Sequence, residues 1–254
     1  MSDSVGTLSR GLDVLELFAA GAPELSQKEI SEQLGLPLPT VHRLTKLLAE
    51  RGYLVRDGET RRLRLGMELA RLVPPLLSGL RLPDVARGRL RALAGATGET
   101  VNLAVLHGGD VVYLLSETGA RLLTPRAAMG LRLPAHCTAL GKCLLAQLPD
   151  AEARRAAGRE PYAALTARTL TRWEELHASL EQVRRTGVAV SRQEYELGLD
   201  SIAVPVAWDE GAGPAAVNVS LPSARATRAA RAELATRLAA TAEEIGAAAG
   251  VRAA

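Results

Sequence analysis

Apolar residues recur every three or four positions near the start of the chain. This spacing predicts a helix over residues 8–20 whose apolar face is formed by Leu8, Leu12, Leu15 and Phe18. Ser26 and Glu29 form a capping-box pattern, which places the start of a second, short helix directly after Ser26. Gly35 is expected to end that helix.

A third helix is predicted over residues 40–51, because Pro39 suits a first helical turn and Gly52 ends the pattern. At 100° per residue, one side of this helix is apolar and carries Val41, Leu44 and Leu48. The opposite side is polar and largely basic, with Pro39, His42, Arg43, Lys46 and Glu50. The helix therefore has a core face and a face free to bind a partner.

Two short β-prone runs, residues 53–56 and 61–65, flank a turn-forming cluster at residues 57–60 and predict a hairpin. Three helices followed by a hairpin that carries arginines are typical of a winged helix-turn-helix. Apolar helical runs over residues 66–80 and 83–94 follow, the first interrupted by two prolines. We interpret this part of the chain as the connection between two domains.

The remainder alternates between strand and helix patterns. Strands are predicted at residues 100–107, 111–116, 188–191, 201–206 and 215–220, with turns at 108–110 and 211–213. Helices are predicted around residues 138–147, from a capping box at Thr171 to Arg185, and over 224–248, while residues 129–134 are expected to be a loop. The predicted fold class is α+β, with a winged helix-turn-helix in residues 1–72, a linker helix in 73–88 and an α/β domain in 89–254.

Composition narrows the class of protein. The chain has 254 residues, of which 47% are hydrophobic and 23% charged, as expected for one or two globular domains. We find no apolar stretch near the ~18 residues that a membrane span needs, and no basic-then-apolar signal pattern at the start. Cys137 and Cys143 do not form a disulfide framework. We therefore expect a cytoplasmic protein without a membrane partner.

Charge is distributed unevenly within the first domain. Six carboxylates outnumber two cations in residues 1–39, whereas seven cations outnumber three carboxylates in residues 40–64. The DNA major groove admits one helix, and a hairpin beside that helix can lie along phosphates. Arg43 and Lys46 are thus candidates for base or phosphate contacts, and Arg61, Arg62 and Arg64 for phosphate contacts. A plain solvated surface is the alternative.

A Cys/His site is a second alternative. His136 and Cys137, with Cys143 six residues later, could form a metal site or a nucleophile. Neighbouring residues rarely point at one another, and no third ligand or orienting acid stands at a suitable spacing. We therefore expect no enzyme, no metal and no cofactor. A small-molecule-binding or Cys/His enzymatic protein, whose N-terminal helices serve only association, stays open as the competing function.

Several segments, in order along nearly the whole chain, resemble the IclR family of transcriptional regulators. In the first domain these are residues 8–15 (LSRGLDVL), 25–26, 34–37 (LGLP), 40–44 (TVHRL) and 65–66. In the second they are residues 133–142 (LPAHCTALGK), 187–194 (GVAVSRQE), 198 and 201–206 (SIAVPV).

The resemblance implies a homodimer or dimer of dimers that binds a double-stranded DNA operator. It also implies a GAF/PAS-like C-terminal domain that binds a small organic effector and controls a metabolic, catabolic operon. The candidate DNA contacts on the outer face of the third helix and on the hairpin are Pro39, Thr40, His42, Arg43, Lys46, Arg61, Arg62 and Arg64. The family's effector contacts would fall on Ala139, Leu140, Ser191, Leu199, Ser201, Asn218 and Ser220.

The types of these residues suit an oxygen-rich ligand. Ser191, Ser201, Asn218 and Ser220 can form hydrogen bonds, and backbone amides at a helix start near Ala139 suit a carboxylate. The four side chains also lie on segments otherwise built for burial, where an unpaired polar group is unfavourable. We therefore expect the effector to be a small organic acid that satisfies them.

Overall fold

The computed structural model describes residues 2–19, 22–78, 81–121, 129–208 and 213–250. Contacts divide the chain into two compact units, Met1–Gly79 and Leu80–Ala254. This division differs from the predicted linker in residues 73–88, because one helix, Arg81–Thr97, runs through position 88 and buries Leu82 and Ala86 in the second unit. The predicted boundaries at 72/73 and 88/89 stay predictions.

The first unit contains the three predicted helices and the hairpin. Its elements are α1 (Ser2–Ala19), α2 (Gln27–Leu34), α3 (Leu38–Glu50), β1 (Leu54–Arg56) and β2 (Leu63–Leu65), followed by a 3-10 turn (Met67–Leu72) and α4 (Val73–Ser78). The capping box of α2 is confirmed: Ser26 Oγ accepts from the Glu29 amide, and Glu29 Oε2 accepts from the Ser26 amide. Gly35 ends the helix in a left-handed conformation, at φ 63°.

The core of the first unit uses only part of the apolar face predicted for α1, since Leu15 and Phe18 pack in it and Leu8 and Leu12 do not. Leu8 and Leu12 are 67% and 51% exposed, whereas Val14 and Phe18 are buried. The buried residues pack with α2, α3 and the hairpin around Ile30, Val41, Leu44, Leu54 and Leu63. Periodicity alone does not show which leucines of a long amphipathic helix its neighbours reach.

The second unit is a six-stranded antiparallel sheet with helices on both faces. Its elements are α5 (Arg81–Thr97), β3 (Thr100–His107), β4 (Asp110–Glu117), β5 (Arg132–Pro134), α6 (Ala139–Ala146), α7 (Asp150–Ala157), α8 (Trp173–Thr186), β6 (Ala189–Arg192), β7 (Leu199–Val206), β8 (Ala215–Pro222) and α9 (Arg228–Ala248). The strand order is β5-β4-β3-β8-β7-β6. The predicted α+β fold class is confirmed.

The two faces of the sheet carry different residues. Larger aliphatic side chains, such as Leu103, Val217 and Val219, pack with residues of α5 and α9. The other face presents Ala104, Ala203 and Ala216 to α6 and α8. These small residues let α6 lie close to the strands. Gly141 is required by a different contact, because a Cβ at that position would lie 2.1 Å from the carbonyl oxygen of Ala135, in the 3-10 turn (Ala135–Cys137) that precedes α6.

Three local predictions for the second unit need correction. The loop predicted at 129–134 contains the edge strand β5, which pairs with β4. The capping box at Thr171 is wrong, because helix α8 begins at Trp173, whose amide donates to Glu160 Oε2 at 2.8 Å. Helix α7 was not predicted. Part of the turn expected at 211–213 lies outside the described residues.

Candidate functional site

Helix α3 presents a polar face to solvent. Pro39, His42, Arg43 and Lys46 are exposed and Thr40 is half-buried, as the sequence predicted for the outer face. Arg43 forms no ion pair or hydrogen bond with the residues that the structure describes, whereas Lys46 lies 3.8 Å from Glu50 in a solvent-exposed pair. Such exposed pairs contribute little, so both cations can accept an anionic partner. The exposed Leu47 beside them was not among the predicted contacts.

A side-chain network joins this face to α2. Gln27 Nε2 donates to Thr45 Oγ1 at 2.7 Å, and Gln27 Oε1 lies 3.4 Å from His42 Nδ1. Thr45 is buried and donates in turn to the Val41 carbonyl at 2.8 Å. The network therefore fixes α2 against α3 and holds the His42 ring at the exposed face.

The hairpin presents two further arginines. Arg61 and Arg64 are exposed, and Arg61 has a positive φ of 60° at the end of the turn. Asp57 orders this turn, because its Oδ1 atom accepts from the Glu59 amide at 3.1 Å and from the Thr60 amide at 2.7 Å. The Thr60 bonds are the main reason that the pKa of Asp57 lies below its ordinary value. The turn thus presents the hairpin cations to solvent on an ordered backbone.

Arg62 has a different contact from the predicted one. Its Nη2 atom donates to both carboxylate oxygens of Glu29, at 3.0 and 2.8 Å, and to the Glu24 carbonyl at 3.2 Å. Glu29 is also the capping residue of α2. The Ser26 amide and hydroxyl, followed by Arg62, lower the pKa of Glu29 from 4.5 to about 2. Arg62 therefore braces the hairpin against the start of α2, and its predicted phosphate contact stays a prediction.

In the second unit, polar residues cluster on the sheet face that α6 covers. Strand register places them in two rows: Ser191, Ser201, Ser220 and Thr100 in one, and Ala189, Ala203, Asn218, Asn102 and Ser116 in the other. Leu199 shares this face because it stands two residues before Ser201. Five predicted effector contacts therefore lie together, although nothing tests their role.

Hydrogen bonds within the fold satisfy three of the four predicted polar contacts. Ser191 Oγ donates to the Cys137 carbonyl at 3.1 Å, and Asn218 Nδ2 donates to Ser220 Oγ at 3.0 Å. Asn218 Oδ1 accepts from Asn102 Nδ2 at 2.8 Å. The expectation that all four need a ligand is therefore wrong. Ser201 alone of the four makes no side-chain hydrogen bond to any residue that the structure describes.

The start of α6 lies over this polar face. Thr138 Oγ1 accepts from the Gly141 amide at 3.0 Å, and the Thr138 carbonyl accepts from the Lys142 amide at 3.0 Å. The amides of Ala139 and Leu140, both fully buried, donate to none of the described residues. Buried helix starts normally have their free amides capped, because each unpaired donor costs about 1 to 3 kcal/mol. The adjacent amides of Ala139 and Leu140 are therefore two buried donors without an acceptor in the described part of the chain.

A buried ion pair fixes the next residue. Lys142 Nζ donates to the two carboxylate oxygens of Glu194, at 2.6 and 2.8 Å, and to the Val190 carbonyl at 2.7 Å. The Lys142 side chain is only 2% exposed. Burial lowers its pKa, and the adjacent carboxylate opposes that shift. The sequence analysis did not identify this pair, because its members are 52 residues apart.

The Cys/His segment is part of the packing. Burial raises the pKa of Cys137 to about 12 and raises that of Cys143 further, so neither is a thiolate nucleophile near neutral pH. His136 stacks on Tyr162 with ring centroids 5.1 Å apart, and its Nε2 atom lies 3.0 Å from the Ala163 carbonyl. These contacts account for all three residues.

One cluster of possible metal ligands lies on the surface. Side-chain ligand atoms of Asp150, His177 and Glu181 come within 4.8 Å of one another. Arg184 Nη1, however, lies 2.6 Å from both Asp150 Oδ1 and Glu181 Oε1. A guanidinium already balances these carboxylates, so the cluster is an ion-pair network.

None of the helices in the described part of the chain is both long and apolar enough to cross a membrane. The predicted cytoplasmic location stays a prediction.

Comparison with known proteins gives a consistent result for both units. Residues 75–247 match the family model of the C-terminal part of bacterial IclR transcriptional regulators, and residues 7–58 match that of the IclR helix-turn-helix domain. The Pca regulon regulatory protein of Pseudomonas putida is 37% identical over 227 residues, which cover 89% of this chain and 77% of the relative.

Solved structures agree. An IclR-family transcriptional regulator from Brucella abortus superposes with a TM-score of 0.78 at 29% identity, covering 95% of this chain and 91% of that one. An IclR homologue from Microbacterium hydrocarbonoxydans, crystallised as a complex with 4-hydroxybenzoate, gives a TM-score of 0.80 at 27% identity, covering 96% and 99%.

The Arg62–Glu29 brace predicts a pH-dependent loss of stability in the variant Glu29→Gln. Glutamine keeps the oxygen that accepts from the Ser26 amide but removes the charge. We expect a lower Tm than wild type at pH 7. Because the folded pKa is depressed, the stabilisation is fully present above about pH 4.5 and is lost as the pH falls toward 2, so the Tm difference shrinks over that range.

Thermal unfolding followed by circular dichroism at several pH values measures this difference. Glu32→Gln is the matched control, because Glu32 pairs with Lys28 only at 3.9 Å between highly exposed side chains. It should leave Tm nearly unchanged. Equal effects of the two variants at every pH would contradict the brace.

Proposed function

The chain belongs to the IclR family of bacterial transcriptional regulators, and from that membership we propose that it binds operator DNA through α3 and its hairpin and a small organic acid through the polar sheet face. Family members are regulators and not enzymes, so the competing Cys/His enzymatic function is wrong. The proposal rests above all on the two unpaired buried amides at the start of α6, above a face that carries the unbonded Ser201 hydroxyl.

We propose that Arg43 reads base edges, since it is exposed, unpaired among the described residues and located in the second turn of α3. The N-terminal residues of a recognition helix are those that reach base edges in the major groove. Pro39, Thr40, His42 and Lys46 share this region, with the His42 ring held by Gln27. Arg61 and Arg64 are the proposed phosphate contacts, and Arg62 positions the hairpin that carries them.

The effector proposal follows from the chemistry of the sheet face. A carboxylate accepts hydrogen bonds, and the Ala139 and Leu140 amides, at the positive end of α6, are suitable donors. Ser201 and Ser220 add hydroxyl groups, while Leu140 and Leu199 supply apolar contact. Ser191 and Asn218 support this surface through their bonds within the fold. A solved relative holds 4-hydroxybenzoate, which is a carboxylic acid of this class.

We further propose a homodimer or dimer of dimers that controls a catabolic operon. The similar Pseudomonas putida protein is a regulator of the Pca regulon, which supports a metabolic role. Leu8 and Leu12 of α1, left exposed within one chain, are compatible with association between copies.

Replacing Arg43 by alanine should weaken binding to the operator by roughly 1 to 3 kcal/mol and relax base preference at one position, because a bidentate base contact is lost. Arg61→Ala should instead weaken binding to all sequences alike and reduce the slope of log K against log salt by about one. Fluorescence anisotropy with operator and random duplexes, at several salt concentrations, measures both.

Arg159→Ala serves as the control, since Arg159 is an exposed cation of the second unit. It should change neither the affinity nor the salt slope. The assignment is wrong if Arg43→Ala and Arg61→Ala reduce binding to the two duplexes in the same proportion.

For the effector, Ser201→Val removes a hydroxyl that has no hydrogen-bond partner among the described residues, so the variant should fold normally. A panel of small carboxylic acids, including acetate, propionate, benzoate and 4-hydroxybenzoate, identifies one that raises the Tm of wild type. That acid should bind Ser201→Val at least about tenfold more weakly, which is the value of one good hydrogen bond. DNA affinity without the acid should stay at the wild-type value.

Ser223→Ala is the matched control, because Ser223 Oγ donates to Asp200 at 2.6 Å and Asp200 lies on the other sheet face. It should bind the acid as wild type does. If the acid raises the Tm of Ser201→Val as much as that of wild type, its site lies elsewhere.

A further inference from the structure

Two buried polar atoms on the neighbouring strands β3 and β4 have no hydrogen-bond partner in the described part of the chain. They are Asn102 Oδ1 and Ser116 Oγ, neither of which bonds to any residue that the structure describes. Asn102 and Ser116 are register partners in the antiparallel pair, so their side chains point to the same face. That face is the one that α6 covers, where Asn218 and Ser220 also lie.

The hydrogen bonds of Asn102 and Asn218 show which atom of the Asn102 amide has no partner. Asn102 Nδ2 donates to Asn218 Oδ1 at 2.8 Å, and Asn218 Nδ2 donates to Ser220 Oγ at 3.0 Å. With the two amides placed in this way, it is Asn102 Nδ2 that faces Asn218. The amide oxygen therefore faces away from Asn218, and an amide oxygen can only accept a hydrogen bond. Its missing partner is a donor.

Ser116 complements this acceptor. Its hydroxyl can donate as well as accept, and it bonds to none of the residues that the structure describes. A group that donates to Asn102 Oδ1 and accepts from Ser116 Oγ satisfies both atoms. A hydroxyl group has this combination, whereas a carboxylate has no hydrogen to donate and an ammonium has no lone pair to accept with.

We infer that Asn102 and Ser116 form a hydroxyl-binding corner of the effector site, so the effector is a hydroxylated organic acid. This inference rests on the proposed effector site at α6 and Ser201, and it adds a second recognition point on the same sheet face. The acid's carboxylate binds at the amides of Ala139 and Leu140, and its hydroxyl donates to Asn102 Oδ1. Sites that bind a substrate hydroxyl discriminate strongly against analogues without it, because the buried partners are then left unpaired.

Pairs of acids that differ by one hydroxyl group test the corner. Glycolate and acetate, lactate and propionate, and 4-hydroxybenzoate and benzoate are titrated into the full-length protein by calorimetry. For at least one pair, wild type should bind the hydroxylated member tenfold or more tightly. In Ser116→Ala this ratio should fall toward one, because the hydroxylated acid loses a partner that the acid without the hydroxyl does not use. In Asn102→Leu the ratio should also fall, and both acids should bind more weakly, because this variant removes the donor to Asn218 Oδ1.

Ser116→Ala keeps the test decisive even if Asn102→Leu fails to fold, since the Ser116 hydroxyl has no partner in the fold to lose. Ser223→Ala should retain the wild-type ratio. The corner is refuted if wild type binds both members of every pair equally while Ser201→Val still abolishes binding, or if Ser116→Ala keeps the full ratio, as it would if the two atoms only hold a water molecule. If no acid binds wild type, the proposed effector site itself fails.

Discussion

A lysine charge enclosed in the second unit constrains the structure around it. Removing an ammonium group from water is unfavourable unless the fold supplies opposite charge and hydrogen-bond acceptors. Lys142 obtains both from Glu194 and the Val190 carbonyl. These acceptors belong to β6 and the segment that follows it, so α6 must begin over this end of the sheet. The buried charge thereby sets where the free amides of Ala139 and Leu140 lie.

The Lys142–Glu194 ion pair and two threonines order the segment after β6. Thr169 Oγ1 donates to the Glu194 carbonyl at 2.6 Å, and Thr166 Oγ1 donates to the Gln193 carbonyl at 2.7 Å, so backbone and side chain are both held. Small residues complete the arrangement, because Gly141 lets the preceding turn pack against α6 and the alanines beneath α6 let the helix lie close to the strands. Among the described residues, two amide donors, two hydroxyls and one amide oxygen then remain without partners on one sheet face. A ligand-responsive regulator needs such a preorganised polar surface.

Features set by neighbouring residues could be predicted from the sequence, and features set by distant ones could not. The Ser26–Glu29 capping box and the Gly187 helix end depend on local hydrogen bonds and were confirmed. The start of α8 was wrong because its cap comes from Glu160, thirteen residues away. Periodicity did not reveal the exposure of Leu8. The sequence predicts Arg62 to be a surface cation, because its contact with Glu29, 33 residues away, forms only in the folded chain. The family resemblance did not include Asn102 among the effector contacts.

The central claim is tested most directly by a crystal structure of the full chain in complex with a carboxylic acid. The acid to use is the one that binds most tightly in the calorimetric titrations. The account predicts electron density for the acid between the start of α6 and the polar sheet face. Its carboxylate should lie within hydrogen-bond distance of the Ala139 and Leu140 amides, with Ser201 alongside. Density for the acid at any other place, with these two amides still unpaired, would contradict it.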